Sequence, residues 1–166
     1  MILFLDFDGV LHPNEVYMDR FKGERRIVLK VDGHNLFEHA EWLAEQLALS
    51  EFRHVRVVLS TSWVWALSFD GAKAYLPQSL QERVKGATWH SGRNKYEWHS
   101  MTRFDQIHGY VNRHNLHDWV AVDDNADGWP EAHKTNLVHT DEWWGLGQAE
   151  KRAELLTKLS RGEEGR

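Results

Sequence analysis

Two acidic clusters in this chain each follow directly on a short apolar run, and that arrangement restricts the fold more than any other feature. Residues 2–5 (ILFL) lead into Asp6, Phe7, Asp8 and Gly9, and residues 118–122 (DWVAV) lead into Asp123, Asp124, Asn125, Ala126 and Asp127. Short apolar runs that stop abruptly are the pattern of fully buried strands. Residues two apart on an extended backbone point to one side, so Asp6 and Asp8 can converge, and Gly9 lets the chain turn away. Converging carboxylates in apolar surroundings are costly unless a cation or a shared proton relieves them. A hard divalent ion such as Mg²⁺ answers that need.

The remaining segments supply the partners. Residues 54–59 (HVRVVL) read as another buried strand, delivering Ser60, Thr61, Ser62 and Trp63 at its carboxyl end; the local alternative for these hydroxyls is a turn that ends the strand. Asn35 and Glu38 resemble a capping pair ahead of a helix whose stripe is Leu36, Ala40, Leu43 and Leu47. A short helix is predicted from Pro77 through Leu80 and Val84. A longer one runs from Met101 to His114, with Phe104, Ile107, Tyr110 and Val111 on one face and Asn115 at its end. Residues 136–139 read as a strand, and a last helix turns Ala149, Ala153, Leu156 and Leu159 inward. Val16–Met18 and Arg26–Val31, joined around Lys22 and Gly23, read as a hairpin carrying Arg20, Lys22, Arg25, Arg26 and Lys30.

Strands alternating with helices predict an α/β fold: a three-layer, Rossmann-like parallel sheet with right-handed crossovers and a ligand site at the carboxyl ends of the strands. Asp6, Thr61 and Asp123 all fall at such ends. The 166 residues fit one domain, expected over 1–160 with a frayed tail at 161–166. The absence of cysteine fits a reducing cytoplasm, which is the expected location, and no stretch approaches membrane-spanning length. The 25 acidic residues outnumber the 20 basic ones for a net charge of -5, so any polyanion site must be local. Among eleven histidines only His114 and His117 suggest zinc, and weakly.

Residues 6–11, DFDGVL, resemble motif I of the haloacid dehalogenase-like (HAD) superfamily, most of whose members are Mg²⁺-dependent phosphohydrolases. The resemblance implies Asp6 as nucleophile and Asp8 as general acid and base. Thr61, with Ser60 as the alternative, matches the motif II hydroxyl. Arg103 matches the motif III cation by position, while Lys95 is the closer residue type but lies further upstream. Asp123 and Asp124 match motif IV, Asp123 as metal ligand and Asp124 as ligand or supporting partner, with Asp127 a third candidate. The implied Mg²⁺ ligands are Asp6, Asp123 and the main-chain carbonyl of Asp8. LSTSW, LPQSLQERVKG and LVHTDEWWGL are further similar to small HAD-like domains found alone or attached to RNA-repair enzymes. Related sequences often have an arginine just after the tryptophan of LSTSW, where this chain has Val64.

No insertion is long enough for a folded cap, so the cleft is expected to be open, with only the small hairpin flap beside it. Open sites of this superfamily tend to take large substrates. The basic flap, through Arg25 and Arg26, together with Ser60, Ser62, Lys95 and Trp63, forms the expected substrate-binding set. Trp65, Trp129, Trp143 and Trp144 also follow strand ends, where a tryptophan can stack a base. The expected activity is phosphomonoester hydrolysis through an aspartyl-phosphate, on a nucleotide or a polynucleotide end. The alternatives are a small-metabolite or protein phosphatase, a non-catalytic nucleic-acid-binding module, or a phospho-accepting module. Oligomeric state is not legible.

Overall fold

The structure, a computed structural model, describes residues 1–21 and 23–161. Lys22 of the hairpin and residues 162–166 of the expected tail lie outside the described residues. Five strands, β1 (Ile2–Leu5), β4 (Arg56–Leu59), β5 (Val84–Ala87), β6 (Trp119–Asp123) and β7 (Leu137–His139), form a parallel sheet in the order β5-β4-β1-β6-β7. Strands β2 (Val16–Phe21) and β3 (Glu24–Leu29) pair separately as the antiparallel flap. Among the described residues no helix is long and apolar enough to cross a membrane.

The apolar runs are continuous because both faces of the sheet are covered. Leu3, Leu5, Val57, Leu59, Val120 and Val122 face one core, shared with Leu43 and Leu47 of α1 (Ala40–Ala48) and with Leu155 and Leu159 of α7 (Ala149–Ser160). Phe4, Val58 and Ala121 face the other, shared with Phe104, Ile107 and Val111 of α6 (Arg103–Arg113). The two-residue period of a strand thus sorts neighbouring side chains into two separate cores.

Register sets the site. Leu5 lies opposite both Leu59 and Val122, so three strands end level. Main-chain bonding runs one step further: the Asp6 N–H donates to the Val122 carbonyl (3.2 Å) and the Ser60 N–H to the Leu5 carbonyl (2.8 Å). Chain order reverses across β1, which runs first to β4 and later to β6, and the two acidic clusters meet at that reversal.

Several local expectations differ from the structure. Val84 ends no helix: α4 (Gln78–Gln81) stops before it and Val84 opens β5, whose four residues, VKGA, carry too little strand pattern to be recognised. The first helix begins at Ala40, because the Phe37 N–H is taken by His12 Nδ1 and the His39 N–H by the Leu11 carbonyl, which hold residues 36–39 in turns. In α7 the inward stripe is Leu155 and Leu159 with the half-buried Leu156 packed beside them, while Ala149 and Ala153 are exposed. A further helix, α5 (Lys95–Ser100), capped by the Asn94 side chain, precedes α6 and was not predicted.

Gly145 sits at positive φ (48°) with the Val10 main-chain carbonyl where a Cβ would be, and that same carbonyl accepts the Leu146 N–H at 2.9 Å. Gly33 has positive φ (82°) but open space around it. Gly33→Ala should cost about 1–2 kcal/mol, the left-handed backbone alone. Gly145→Ala should cost clearly more in the same chemical denaturation, since the motif I loop must move; equal losses would contradict this packing.

Candidate functional site

Asp6 and Asp123 end adjacent strands with both carboxylates buried, Asp6 only 2% exposed. Arg103, in the first turn of α6, reaches both: Nη2 donates to Asp6 Oδ2 at 2.8 Å, and Nε lies 2.9 Å from Asp123 Oδ2. The helix is fixed there by a capping box in which Thr102 Oγ1 accepts the Asp105 N–H and Asp105 accepts the Thr102 N–H. The other Asp6 oxygen accepts the Phe7 N–H (2.8 Å), and Asp123 Oδ1 accepts the Asn125 N–H (3.0 Å).

Asp124 completes the cluster. One oxygen each from Asp6, Asp123 and Asp124 lie within 4.8 Å of one another, the only such grouping of His, Asp or Glu among the described residues. Asp124 is steadied by Asn14 Nδ2, donating at 2.8 Å, and by His139 Nε2, donating to its main-chain carbonyl at 2.9 Å. A Cβ at Gly9 would fall on the Asp124 carboxylate, and Gly9 has φ of 66°, so both space and conformation require glycine there. An all-oxygen set of this kind fits a hard divalent cation. Asp127 is exposed and gives only its N–H, to Asn125 Oδ1 at 2.7 Å. His114 stacks on Tyr110 at 4.1 Å, and neither it nor His117 belongs to the grouping of possible metal ligands found among the described residues.

Asp8 points elsewhere. Its Oδ1 accepts the Trp63 indole N–H at 2.8 Å and lies 3.1 Å from His12 Nε2. His12 Nδ1 accepts the Phe37 N–H at 3.2 Å, so a neutral His12 carries its proton on Nε2 and donates it to Asp8. Trp63 is 1% exposed and wedged among Phe7, Phe37 and Tyr75. It has no face to offer a base; the expectation of Trp63 as a substrate contact is corrected to a buried donor that orients Asp8. The sequence placed Trp63 at a strand end, but nothing in the spacing of Trp63 and His12 announced the shared carboxylate.

Thr61, Ser62 and Arg103 line a cleft of about 180 Å³ with Trp65, Trp98, His99, Met101, Gln106 and Asn125. Thr61 Oγ1 accepts the Trp63 N–H at 3.4 Å, whereas Ser60 Oγ is buried with no hydrogen-bond partner among the described residues. Lys95 does not reach the carboxylates; its ammonium sits 4.7 Å above the Trp65 ring. Arg26 is held across the hairpin by Asp19 at 3.0 Å, and Arg25 is exposed. Trp129 packs in the core, while Trp143 and Trp144 are exposed. Val64, where relatives often have arginine, is buried.

Burial pushes the Asp6 carboxyl well above the ordinary carboxylate range; Arg103 pulls it down, and Asp123, Asp8 and Asp124 push it up. Burial likewise raises Asp123 from 3.8 to about 6 against the pull of Arg103, and it raises Asp124. For Arg103, burial opposes the charge, but Asp6 and Asp123 outweigh it and hold the guanidinium more firmly protonated than a free one. A group with a raised folded pKa stabilises fully below its unfolded value and loses that contribution as pH rises through the folded value. For Asp123 this window runs from 3.8 to about 6. In EDTA, thermal unfolding should therefore show a lower Tm at about pH 7.5 than at about pH 5, and Asp6→Asn, which removes one of the raised carboxyls, should reduce the difference. A Tm that rises over this interval, or one indifferent to Asp6→Asn, would contradict the assigned charge balance.

A family model for the HAD domain in Swiss Army Knife RNA repair proteins matches residues 2–150, which include every strand of the sheet and the flap. Comparisons with curated proteins and with solved structures find no match. With nine-tenths of its length covered and its strand-end carboxylates gathered as described, the chain belongs to this family of HAD domains.

Proposed function

We propose that the domain is a Mg²⁺-dependent phosphomonoesterase acting through an aspartyl-phosphate, with a phosphorylated nucleotide or polynucleotide end as substrate. The observation that carries this reading is the division of labour between two carboxylates only two residues apart. Asp6 is buried against Arg103 and Asp123, whereas Asp8 is turned aside and held through one oxygen by Trp63 and His12. Distinct environments for neighbouring carboxylates are how one site separates nucleophile from acid and base. The family's association with RNA repair supports the substrate class.

An Asp6 oxygen attacks phosphorus and displaces the ester oxygen, to which Asp8 delivers a proton; water then attacks the same phosphorus, Asp8 takes its proton, and Asp6 and inorganic phosphate are released. Arg103 favours the ionised, nucleophilic form of Asp6 and faces the phosphoryl charge. Thr61, which lines the cleft with Arg103, donates its hydroxyl proton to a phosphoryl oxygen in this reading. Mg²⁺ bound by Asp6, Asp123 and Asp124, with the Asp8 main-chain carbonyl, would supply the positive charge that offsets the carboxylates as an anionic substrate arrives. Trp63 and His12 keep one Asp8 oxygen occupied, which leaves the other for proton transfer.

Hydrolysis of a nitrophenyl phosphate should require a divalent cation and stop in EDTA, and a folded Asp6→Asn protein should be inactive. Asp8→Asn should slow alkyl phosphates by about two to four orders of magnitude, in keeping with loss of a general acid, and nitrophenyl release in the first turnover far less. Turnover by Asp6→Asn, or equal losses for good and poor leaving groups in Asp8→Asn, would overturn these roles.

A further inference from the structure

The cleft that starts at Arg103 and Thr61 ends at an unusual pair. Trp65 is 41% exposed at its mouth, the Lys95 ammonium lies 4.7 Å above the indole centroid, and the His99 ring meets the indole edge to face at 5.0 Å. Lys95 has no carboxylate partner among the described residues. Both side chains come from short helices, Trp65 from α2 (Trp63–Leu67) and Lys95 from the first turn of α5. Neither contributes to a core cluster, whereas Trp63, two residues before Trp65, does, and Trp98, three residues after Lys95, is buried. A large aromatic left exposed beneath a lysine that pairs with no acid among the described residues is not explained by packing.

We propose that Trp65 and Lys95 form the subsite for the nucleotide next to the scissile phosphate, in a single-stranded polynucleotide end. The inference rests on the phosphate site at Asp6 argued above. Trp65 offers a ring on which a base stacks without regard to its identity, and Lys95, leaving the indole, neutralises the following phosphodiester. Ser62, Gln106 and Asn125 along the cleft offer hydrogen bonds to sugar and phosphate oxygens. The cleft, at about 180 Å³, is smaller than the roughly 300 Å³ at which enclosed small-molecule pockets begin, and it suits a chain end passing over it. It lies on the α6 side of the sheet, whereas the basic flap is anchored through Ile27 in the opposite core. Substrate recognition is thus assigned to this cleft and not to the flap.

The test is fluorescence anisotropy with a labelled, terminally phosphorylated single-stranded oligonucleotide and the Asp6→Asn protein, so that binding is read without turnover. Adding Trp65→Ala should weaken binding about five- to hundredfold, Trp65→Phe should keep most of the affinity, and an oligonucleotide abasic at its last position should be nearly indifferent to Trp65→Ala. Lys95→Ala should weaken binding and reduce the slope of log affinity against log salt by about 0.7. In the active protein, Trp65→Ala should lower the ratio of kcat/KM for the oligonucleotide to that for nitrophenyl phosphate by a similar factor. No binding by the Asp6→Asn protein, a change below about twofold with Trp65→Ala, or equal loss for intact and abasic ends would overturn the subsite. Failure of the phosphatase reading looks different: Trp65-dependent binding would persist while wild-type protein hydrolysed no ester.

Discussion

The site depends on one cation placed between two buried carboxylates. Taking an ion out of water costs several kcal/mol even after relaxation, and two like charges at adjacent strand ends add repulsion to that cost. Arg103 meets both carboxylates with different nitrogens of one planar group, a match that a lysine head could not reproduce with the same two contacts. This joins α6 to the carboxyl edge of β1 and β6. The elements that set Arg103 follow in order: Thr102 and Asp105 cap the helix, and Gly128 passes close over the Thr102 side chain at positive φ, where a Cβ would collide. The loop after the second acidic cluster thereby locks the residue that neutralises that cluster.

A second set of contacts turns Asp8 away from the Arg103 ion pairs. Trp63, buried in an aromatic cluster with Phe7, Phe37 and Tyr75, spends its single polar hydrogen on Asp8, and His12 adds another donor from the motif I loop itself. The indole and the imidazole therefore join the site through the Asp8 carboxylate. This accounts for one of the nine tryptophans; Trp98, Trp119 and Trp129 fill the core, and Trp65, Trp143 and Trp144 stand exposed.

The sheet and the acidic residues were legible because each rests on a local signal with a physical cause: a run of apolar residues buried on both faces, ended abruptly by carboxylates or hydroxyls. Asp6, Asp123 and Asp124 meet because β1 and β6 are neighbours in register, and their carboxyl ends lie side by side. What was not legible depends on contacts distant in the chain. The start of α1 is moved by Leu11 and His12, β5 forms from four residues of weak pattern because β4 offers an open edge, and Trp63 is turned inward by aromatic neighbours from three separate segments. Lys95 and Arg103 could not be separated by spacing alone; α5, a helix with no strong periodicity, carries Lys95 away to Trp65.

The central claim is that Asp6 becomes covalently phosphorylated while Asp8 handles the protons. Its most direct measurement is acid quenching of the Asp8→Asn protein with nitrophenyl phosphate and Mg²⁺, followed by peptide mass spectrometry. The account predicts a phosphoryl group on the amino-terminal peptide, located at Asp6 and absent when Asp6→Asn is added. Steady hydrolysis with no adduct at any quench time, or an adduct on another residue, would contradict it.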